Sequence, residues 1–430
     1  MGSNFFATTI GEQVTLQRGF DITKREQQEG NVPVVSSGGI SSYHNVSKVA
    51  APGVVLGRKG TLGTVYFMDE DFWPHDTSLW VKDFKGNNPH YVYYFFKSMS
   101  AELKKMDVGA ANPALNRNHV HSLEVEWPSR ELQDKIVSIG AALDQKITIN
   151  NKINQSLEQM TQTLFKSWFV DFSPVIDNAL DAGNAIPEEF SARAGIRKSV
   201  RESEGFKPLA KEIRLLFPSE FEESELGWMP KGWLTSTTGE ELTVKGGSTP
   251  STKNPDFWSN GDINWSSPKD LSDNDSKIML ETSRKITKAG LEKITSGLLP
   301  SETVLMSSRA PVGYLALTRI PVAINQGYIA IPKSKQLSQE YILYWLDFNM
   351  DTIKGLSGGT TFAEISKKTF RSIDMLVPPL SVVEAFSNSA GAYLNKISSN
   401  VEESQLLTKV RDSLLAELLS GELEVVHSGN

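Results

Sequence analysis

The sequence predicts a mixed α/β protein built as a pseudo-twofold internal repeat: two similar globular domains separated by two long antiparallel helices that form a coiled coil. Three observations carry this expectation. Residues recur at a constant offset of 250 over much of the chain. Two stretches of about 40 residues show apolar side chains three and four apart, at a rise of ~1.5 Å per residue in a helix. The remaining segments hold short β-rich runs punctuated by turn residues.

The repeat is read first because it decides the architecture. Tyr91-Val-Tyr-Tyr-Phe-Phe96 matches Tyr341-Ile-Leu-Tyr-Trp-Leu346, Gly63 matches Gly313, Gly109 matches Gly359, and Trp127-Pro128 matches Val377-Pro378. Ala142, Lys146, Ile147 and Asn150 pair in the same way with Ala392, Lys396, Ile397 and Asn400, and Leu157 and Leu164 with Leu407 and Leu414. Nearer the start, Gly11-Glu12 resembles Gly239-Glu240 at an offset of 228, so the second copy carries 250 − 228 = 22 extra residues, between about 247 and 300. The resulting segments are a first domain over 1–128, a helix over 129–171, a connector over 172–226, a second domain over 227–379, and a second helix with its tail over 380–430.

In each domain Gly53–Gly57, Thr64–Phe67 and Leu79–Val81, and Glu302–Met306 and Tyr328–Ile331, read as strands, with one short helix over 89–104 and another over 338–352. Pro128 and Pro378-Pro379 close each domain before its long helix. Residues 130–170 lack proline and place Leu132, Ile136, Ile139, Leu143, Ile153, Leu157, Met160 and Leu164 on one stripe; residues 381–419 do the same with Val382, Phe386, Tyr393, Leu407, Val410 and Leu414. The seam weakens at Lys146 and Asn150 and again at Lys396 and Asn400. In an antiparallel pair these polar positions meet and can set the register; the alternative is that they are simply solvated.

Composition narrows the function. With no cysteine there is no disulfide, thiolate nucleophile or zinc ribbon. No apolar run reaches the roughly 18 residues of a membrane span, the N-terminus does not read as a signal peptide, and a cytoplasmic location is expected. The net charge of −7 is uneven: residues 227–378 hold 17 basic against 15 acidic side chains, residues 1–128 hold 12 against 13, and the acidity sits in the connector and tail. Near-neutral domains permit a basic face for nucleic acid. Nucleotide-binding glycine loops are absent. Asn88-Pro-His-Tyr91 has only a faint likeness to an adenine methyltransferase motif, since His90 replaces a proline. His119 and His121 have metal-pair spacing, but their matched positions are Thr369 and Arg371, so no metal is expected.

The matched loops are polar in both copies while their residues differ. Gly57-Arg-Lys-Gly-Thr-Leu-Gly63 faces Ser307-Ser-Arg-Ala-Pro-Val-Gly313, His75-Asp-Thr77 faces Asn325-Gln-Gly327, and Arg117-Asn-His119 faces Lys367-Lys-Thr369. Arginine suits guanine edges and phosphates, asparagine and glutamine suit adenine. The candidate DNA-contacting residues are Arg18, Lys24, Arg25, Arg58, Lys59, Thr61, His75, Asp76, Arg117, Asn118 and His119 in the first copy. In the second they are Lys245, Lys253, Arg284, Lys285, Ser308, Arg309, Asn325, Gln326, Lys367 and Lys368.

Leu164-Phe-Lys-Ser-Trp-Phe-Val-Asp-Phe172, Glu225-Leu-Gly-Trp-Met-Pro-Lys-Gly-Trp233, Arg411-Asp-Ser-Leu-Leu-Ala-Glu-Leu-Leu-Ser-Gly421 and Asn325-Gln-Gly327 together resemble the specificity subunit of type I restriction-modification enzymes. The first copy departs with His75-Asp-Thr77. The resemblance implies two target recognition domains that each read half of a split, asymmetric DNA site. It implies helices that set the spacing and dock two modification subunits, which carry S-adenosylmethionine and methylate adenine, and motor-nuclease subunits that join them. This chain would hold no catalytic site, metal or cofactor. Trp168, Phe169 and Phe172 are candidate docking anchors, with core packing as the other reading. A coiled-coil scaffold for a non-DNA ligand and a degenerate single-chain methyltransferase remain the alternatives.

Overall fold

The strand Gly53–Gly57 is buried at every position. A strand apolar on both faces belongs inside a sheet, and in the computed structural model it lies between Val65–Met68 and Ser78–Asp83, with Thr15–Arg18 beyond the latter. The structure describes residues 5–106, 114–272, 276–309, 311–358 and 363–423; Gly109, Gly359 and Ala310 of the sequence comparison lie outside them. A smaller sheet joins Gly39–His44, Val32–Ser36 and Trp73–Pro74. Phe5–Thr9 pairs with Glu124–Pro128 and so fastens the first strand of the domain to its last.

The helix Pro89–Ser98 lays Tyr91, Val92, Phe95 and Phe96 on this sheet. Asn88 caps it, accepting from the backbone N–H of His90 and Tyr91 and donating to Asp134 Oδ1 at 2.6 Å, a structural task for the motif that faintly resembled a methyltransferase. The single helix expected over 89–104 is two, Pro89–Ser98 and Ser100–Lys105. Ser100 donates its hydroxyl to Gly63 O, which draws the second turn onto the preceding loop. The second copy breaks likewise, between Gln339–Phe348 and Met350–Gly355.

Two compact units divide the chain, residues 1–148 with 404–430, and residues 149–403. The division falls inside both long helices, Arg130–Phe169 and Leu380–Ser420. Each unit therefore contains half of each helix, and in each the halves run antiparallel. In the first unit Asp144 meets Arg411, and Leu132 and Ile136 share a core with Leu415 and Leu418. In the second, Asn150 donates to Glu403 Oε2 and Asn400 to Asn154 Oδ1, both at 2.8 Å.

The second unit repeats the first domain with an addition. Leu242–Lys245, Tyr328–Ser334, Val304–Ser307 and Leu315–Thr318 form the same four strands, and Ile278–Met279 adds a fifth, parallel to Leu315–Thr318. Arg284–Ile286, Ile263–Ser266 and Ala323–Ile324 make the small sheet. The extra residues of this copy fall where the sequence placed them. In the first copy a tight turn joins Val32–Ser36 to Gly39–His44. Here the chain from Ser266 to Arg284 makes the helical turn Lys269–Ser272 and the extra strand, and Lys288–Leu291 adds another turn.

Two expectations are corrected. Trp168, Phe169 and Phe172 are not docking anchors: they are 2%, 7% and 7% exposed and pack against Phe386, Phe217, Trp233 and Tyr341. The connector explains why. It folds into helices Ser173–Ala182 and Ser191–Arg201 and a hairpin of Phe221–Ser224 with Gly227–Pro230, and it drives Phe190, Phe217 and Phe221 against the helix end. Covering aromatic surface of this size is worth about 2–3 kcal/mol per side chain. The polar layer is also only half as expected. Asn150 and Asn400 are buried and bonded across the helix pair, but Lys146 and Lys396 are exposed. An amide can exchange water for a protein partner; a buried ammonium costs far more.

Candidate nucleic-acid interface

One end of each main sheet collects the polar loops. In the first unit Arg18 lies opposite Leu79 and Gly57 opposite Ser78, so the ends of Thr15–Arg18 and Gly53–Gly57 meet the start of Ser78–Asp83. The loop after Gly57 is fixed by its backbone: Gly57 N–H donates to Thr64 O at 2.8 Å, and the N–H groups of Arg58 and Lys59 both donate to Thr77 O at 3.0 Å. Leu115 N–H donates to Arg58 O at 2.8 Å, which brings in the helix Arg117–His121. Arg18, Arg58, Lys59, Thr61, His75, Asp76, Arg117, Asn118 and His119 therefore come from four sequence segments to one edge. Lys24 and Arg25 are exposed in the turn that follows Ile22.

The second unit uses the same frame. Ser307 N–H donates to Tyr314 O, Ser308 N–H to Gly327 O and Ile365 N–H to Ser308 O, at 2.8, 2.8 and 3.0 Å, on the residues matched by the repeat. Lys59 bridges Ala114 as Arg309 bridges Glu364. Lys367 and Lys368 begin the helix Lys367–Arg371, capped by Ser366. Lys245, Lys253, Arg284, Lys285, Gln326, Lys367 and Lys368 are exposed and Asn325 is half-buried. Ser308 is the exception: at 4% exposure it belongs to the frame and is corrected from contact residue to support.

Local electrostatics set which groups are held. Asp76 pairs with Arg18 at 2.6 Å and lies 3.2 Å from His75 Nδ1, so the acid organises bases and does not repel them. Burial, then the neighbouring Arg18, hold the Arg58 guanidinium below its ordinary value against the pull of Asp76; it stays charged at neutral pH. Arg309 lies 4.0 Å from Glu364. His121 is not a metal ligand partner for His119. Its Nε2 accepts from Leu16 N–H at 2.9 Å, and burial, then Arg117 and Lys85, push its pKa down, favouring the neutral acceptor.

Two features escaped the sequence comparison. A Cβ on Gly19 would stand 2.1 Å from His75 O, and one on the equivalent Gly247 would stand 1.8 Å from Ile324 O. Both chains pass directly over the reading loop, and only glycine permits it. Applying the offset of 228 to Gly19 would have found the pair. In the second unit the Arg284 guanidinium also lies 3.6 Å from the Trp258 ring and 5.3 Å from Trp265. Trp265 donates through Nε1 to Ser248 O, and Thr249 donates to Gln326 Oε1 at 2.8 Å. Cation–π stacking holds an arginine fork in place while its edge stays available. Among the described residues the one group with metal-ligand proximity is Asp21, His75 and Asp76, and Arg18 already occupies the Asp76 carboxylate.

A family profile, the type I restriction modification DNA specificity domain, matches residues 7–159 and again 230–388. The chain is 30% identical over 336 residues to the type I restriction enzyme HindI specificity subunit of Haemophilus influenzae, covering 72% of this chain and 71% of that one. It is 29% identical to the MjaIX specificity subunit of Methanocaldococcus jannaschii over 46% of each. A crystal structure of a type I restriction-modification S subunit from M. genitalium shares the fold, with a TM-score of 0.54, 15% identity and 96% of each chain covered. A matched frame carrying unmatched polar side chains, on a chain whose two halves each fit the profile, leads to one assignment: the chain belongs to the type I restriction-modification DNA specificity family.

Proposed function

We propose that each globular copy reads one half of a split, asymmetric DNA site, and that the paired helices fix the half-site spacing and dock two modification subunits. Methylation of adenine with S-adenosylmethionine would take place in those partners, and cleavage in motor-nuclease subunits. This chain contributes recognition and no catalytic group. The proposed place of work is the cytoplasm, where chromosomal and invading DNA are met; separately, no helix among the described residues is long and apolar enough to cross a membrane.

The observation that supports this reading is the frame common to both units. The bonds from Arg58 N–H to Thr77 O and from Ser308 N–H to Gly327 O hold equivalent loops in equivalent places. The side chains on those loops differ, as two readers of different sequences require. Phosphate contacts supply affinity and base contacts supply choice. Arg58, Lys59, Lys367 and Lys368 suit the first task, and Asn325, Gln326 and the stacked Arg284 suit the second.

Replacing residues 1–128 by the corresponding domain of another specificity subunit tests the reading directly. Sequencing of methylated adenines should show one half of the motif changed and the other intact. A motif altered in both halves overturns the modular assignment. DNA binding by the assembled complex should also weaken steeply with salt, and charge reversal at Arg58, Lys59 and Arg309 should reduce that slope.

A further inference from the structure

The small sheets of the two units differ in what they present beside the loop 325–327 and its counterpart 75–77. In the second unit Arg284 stands directly across from Trp265, so both side chains leave one face of the sheet, while Lys285 leaves the other with Asn264. The Arg284 guanidinium lies over the Trp258 ring at 3.6 Å, and the two indoles meet edge to face at 5.1 Å and 87°. Each part of the stack is tied down. Trp258 Nε1 donates to Ser251 O at 3.0 Å, and the buried Trp265 donates to Ser248 O at 3.3 Å. Thr282 donates its hydroxyl to Arg284 O and Ser283 N–H donates to Asp270 Oδ1, both at 2.8 Å, which fixes the backbone on which the arginine stands. Arg284 itself is exposed, and among the described residues nothing forms a hydrogen bond or ion pair with its guanidinium.

The stack is joined to the loop that carries Asn325 and Gln326. Ser248 N–H donates to Ile324 O at 3.1 Å, Asn325 N–H to Ser266 O at 3.0 Å, and the Thr249 hydroxyl to Gln326 Oε1 at 2.8 Å. The first unit builds this place differently. Trp265 pairs in parallel with Ala323 and Val34 with Trp73, and 323 − 73 = 250, so Val34 stands where Trp265 does. Its cross-strand partner Ser42 therefore stands where Arg284 does. Trp258 belongs to the extra residues of the second copy.

We propose that Arg284 reads a guanine, giving the half-site of the second unit a requirement for one G·C pair, and that Trp258 is the positioning residue that makes this arginine selective. The inference rests on the half-site reading above and adds to it the base, the residue and its support. Guanine alone presents two acceptors, O6 and N7, in the major groove, and the arginine fork offers two parallel N–H donors to them. A free arginine loses rotamer entropy on binding, whereas a stacked one is already ordered. Stacking also fixes the plane of the fork. A flat base edge requires that plane; a tetrahedral phosphate accepts from many directions. Ser42 has a single hydroxyl and no fork, so the requirement belongs to one half-site and contributes to the asymmetry of the whole.

The test uses the assembled complex. Sequencing of methylated adenines should show an obligatory guanine in the half read by the second unit. Arg284→Lys keeps the charge and should relax that position alone, with discrimination falling about ten-fold or more. Trp258→Leu should relax the same position and Trp258→Phe, which keeps a stacking face, should restore it; a merely structural tryptophan would weaken binding to every sequence alike. Replacing that guanine with 7-deazaguanine removes N7, and should weaken binding by the unaltered complex about ten-fold and by the Arg284→Ala complex not at all. The proposal is overturned by a motif without guanine in that half, by relaxation elsewhere or nowhere, or by an Arg284→Lys complex that retains full discrimination, the behaviour of a phosphate contact. A domain exchange that altered both halves of the motif would instead overturn the half-site reading beneath it.

Discussion

The reading ends of the two units have the same backbone and different chemistry. Ile10 N–H donates to Leu123 O at 3.0 Å as Thr238 N–H donates to Ile373 O at 2.9 Å, and Phe20 N–H to Pro74 O at 2.8 Å as Ser248 N–H to Ile324 O at 3.1 Å. Where Arg18 stands in the first unit the second has Gly246, and Lys367 fills the space: a Cβ on Gly246 would lie 2.2 Å from its Nζ. Positive charge returns to one place from a different element. Beneath Gly11 lies His121, and beneath Gly239 lies Arg371; one accepts a bond from Leu16 N–H, the other donates to Val244 O. The frame is thus specified by backbone bonds and small residues, and it tolerates replacement of almost every side chain it presents.

The severest challenge to a common frame is to crowd it. Gly19→Ala and Gly247→Ala should each destabilise their own unit by about 3 kcal/mol, read as lost hydrogen-exchange protection in that unit. Gly195→Ala, where a Cβ meets nothing within 4 Å, is the neutral control. Equal tolerance of all three would end the claim that these glycines carry the frame.

Lys277 separates the units instead of uniting them. Lys277→Ala leaves Glu158 and Asp347 without their shared cation, and a loss of roughly 2 kcal/mol is expected for a largely covered ion cluster. Exchange should quicken in Leu315–Thr318 and stay unchanged in Val65–Met68. A uniform change across both sheets would contradict the placement of this network in one unit.

A smaller difference concerns pH. His121→Ala and Arg371→Ala should each cost about 1 kcal/mol through the bond lost to the backbone. Only the first unit should respond to acid. The His121 pKa is lowered in the folded protein by burial, then by Arg117 and Lys85, so the unfolded chain binds the proton more readily. The contribution of this group is complete above its unfolded value of about 6.5 and is lost as pH falls through that value toward the lowered one. Hydrogen exchange of Thr15–Arg18, corrected for intrinsic rate, should show easier opening at pH 5.5 than at pH 7.5, with Leu242–Lys245 unaffected.

Removing the proposed reading groups should hardly touch stability. Arg58→Ala and Arg309→Ala are expected to shift it by no more than about 0.5 kcal/mol. Each should relax or redirect one half of the methylated motif when the modified genome is sequenced. A change in the half assigned to the other domain would break the correspondence between unit and half-site.

Much of this was legible in the chain because repetition is a sequence property. The offset of 250 located equivalent strands, both long helices and the polar loops, and periodicity gave their faces. The helix bounds followed from proline and the apolar stripe. Burial was read less well. Trp168, Phe169 and Phe172 form an apolar helix end in either reading, and nothing local says that the connector's Phe190, Phe217 and Phe221 return to cover it. Asn150 and Lys146 are both polar positions on a weakening seam, yet the first is interior and bonded to Glu403 on the other helix while the second is exposed.

By itself, then, the sequence determined the doubled architecture, the spacer helices and the loops that differ between copies, since these depend on order and period along the chain. Tertiary structure decided which residues of those loops face outward, that Ser308 is buried in the frame, that Arg284 stacks on Trp258, and that one sheet gains Ile278–Met279 as a fifth strand where its twin has four strands among the described residues. Those outcomes depend on what segments distant in sequence do to one another's exposure, and a period along the chain does not record it.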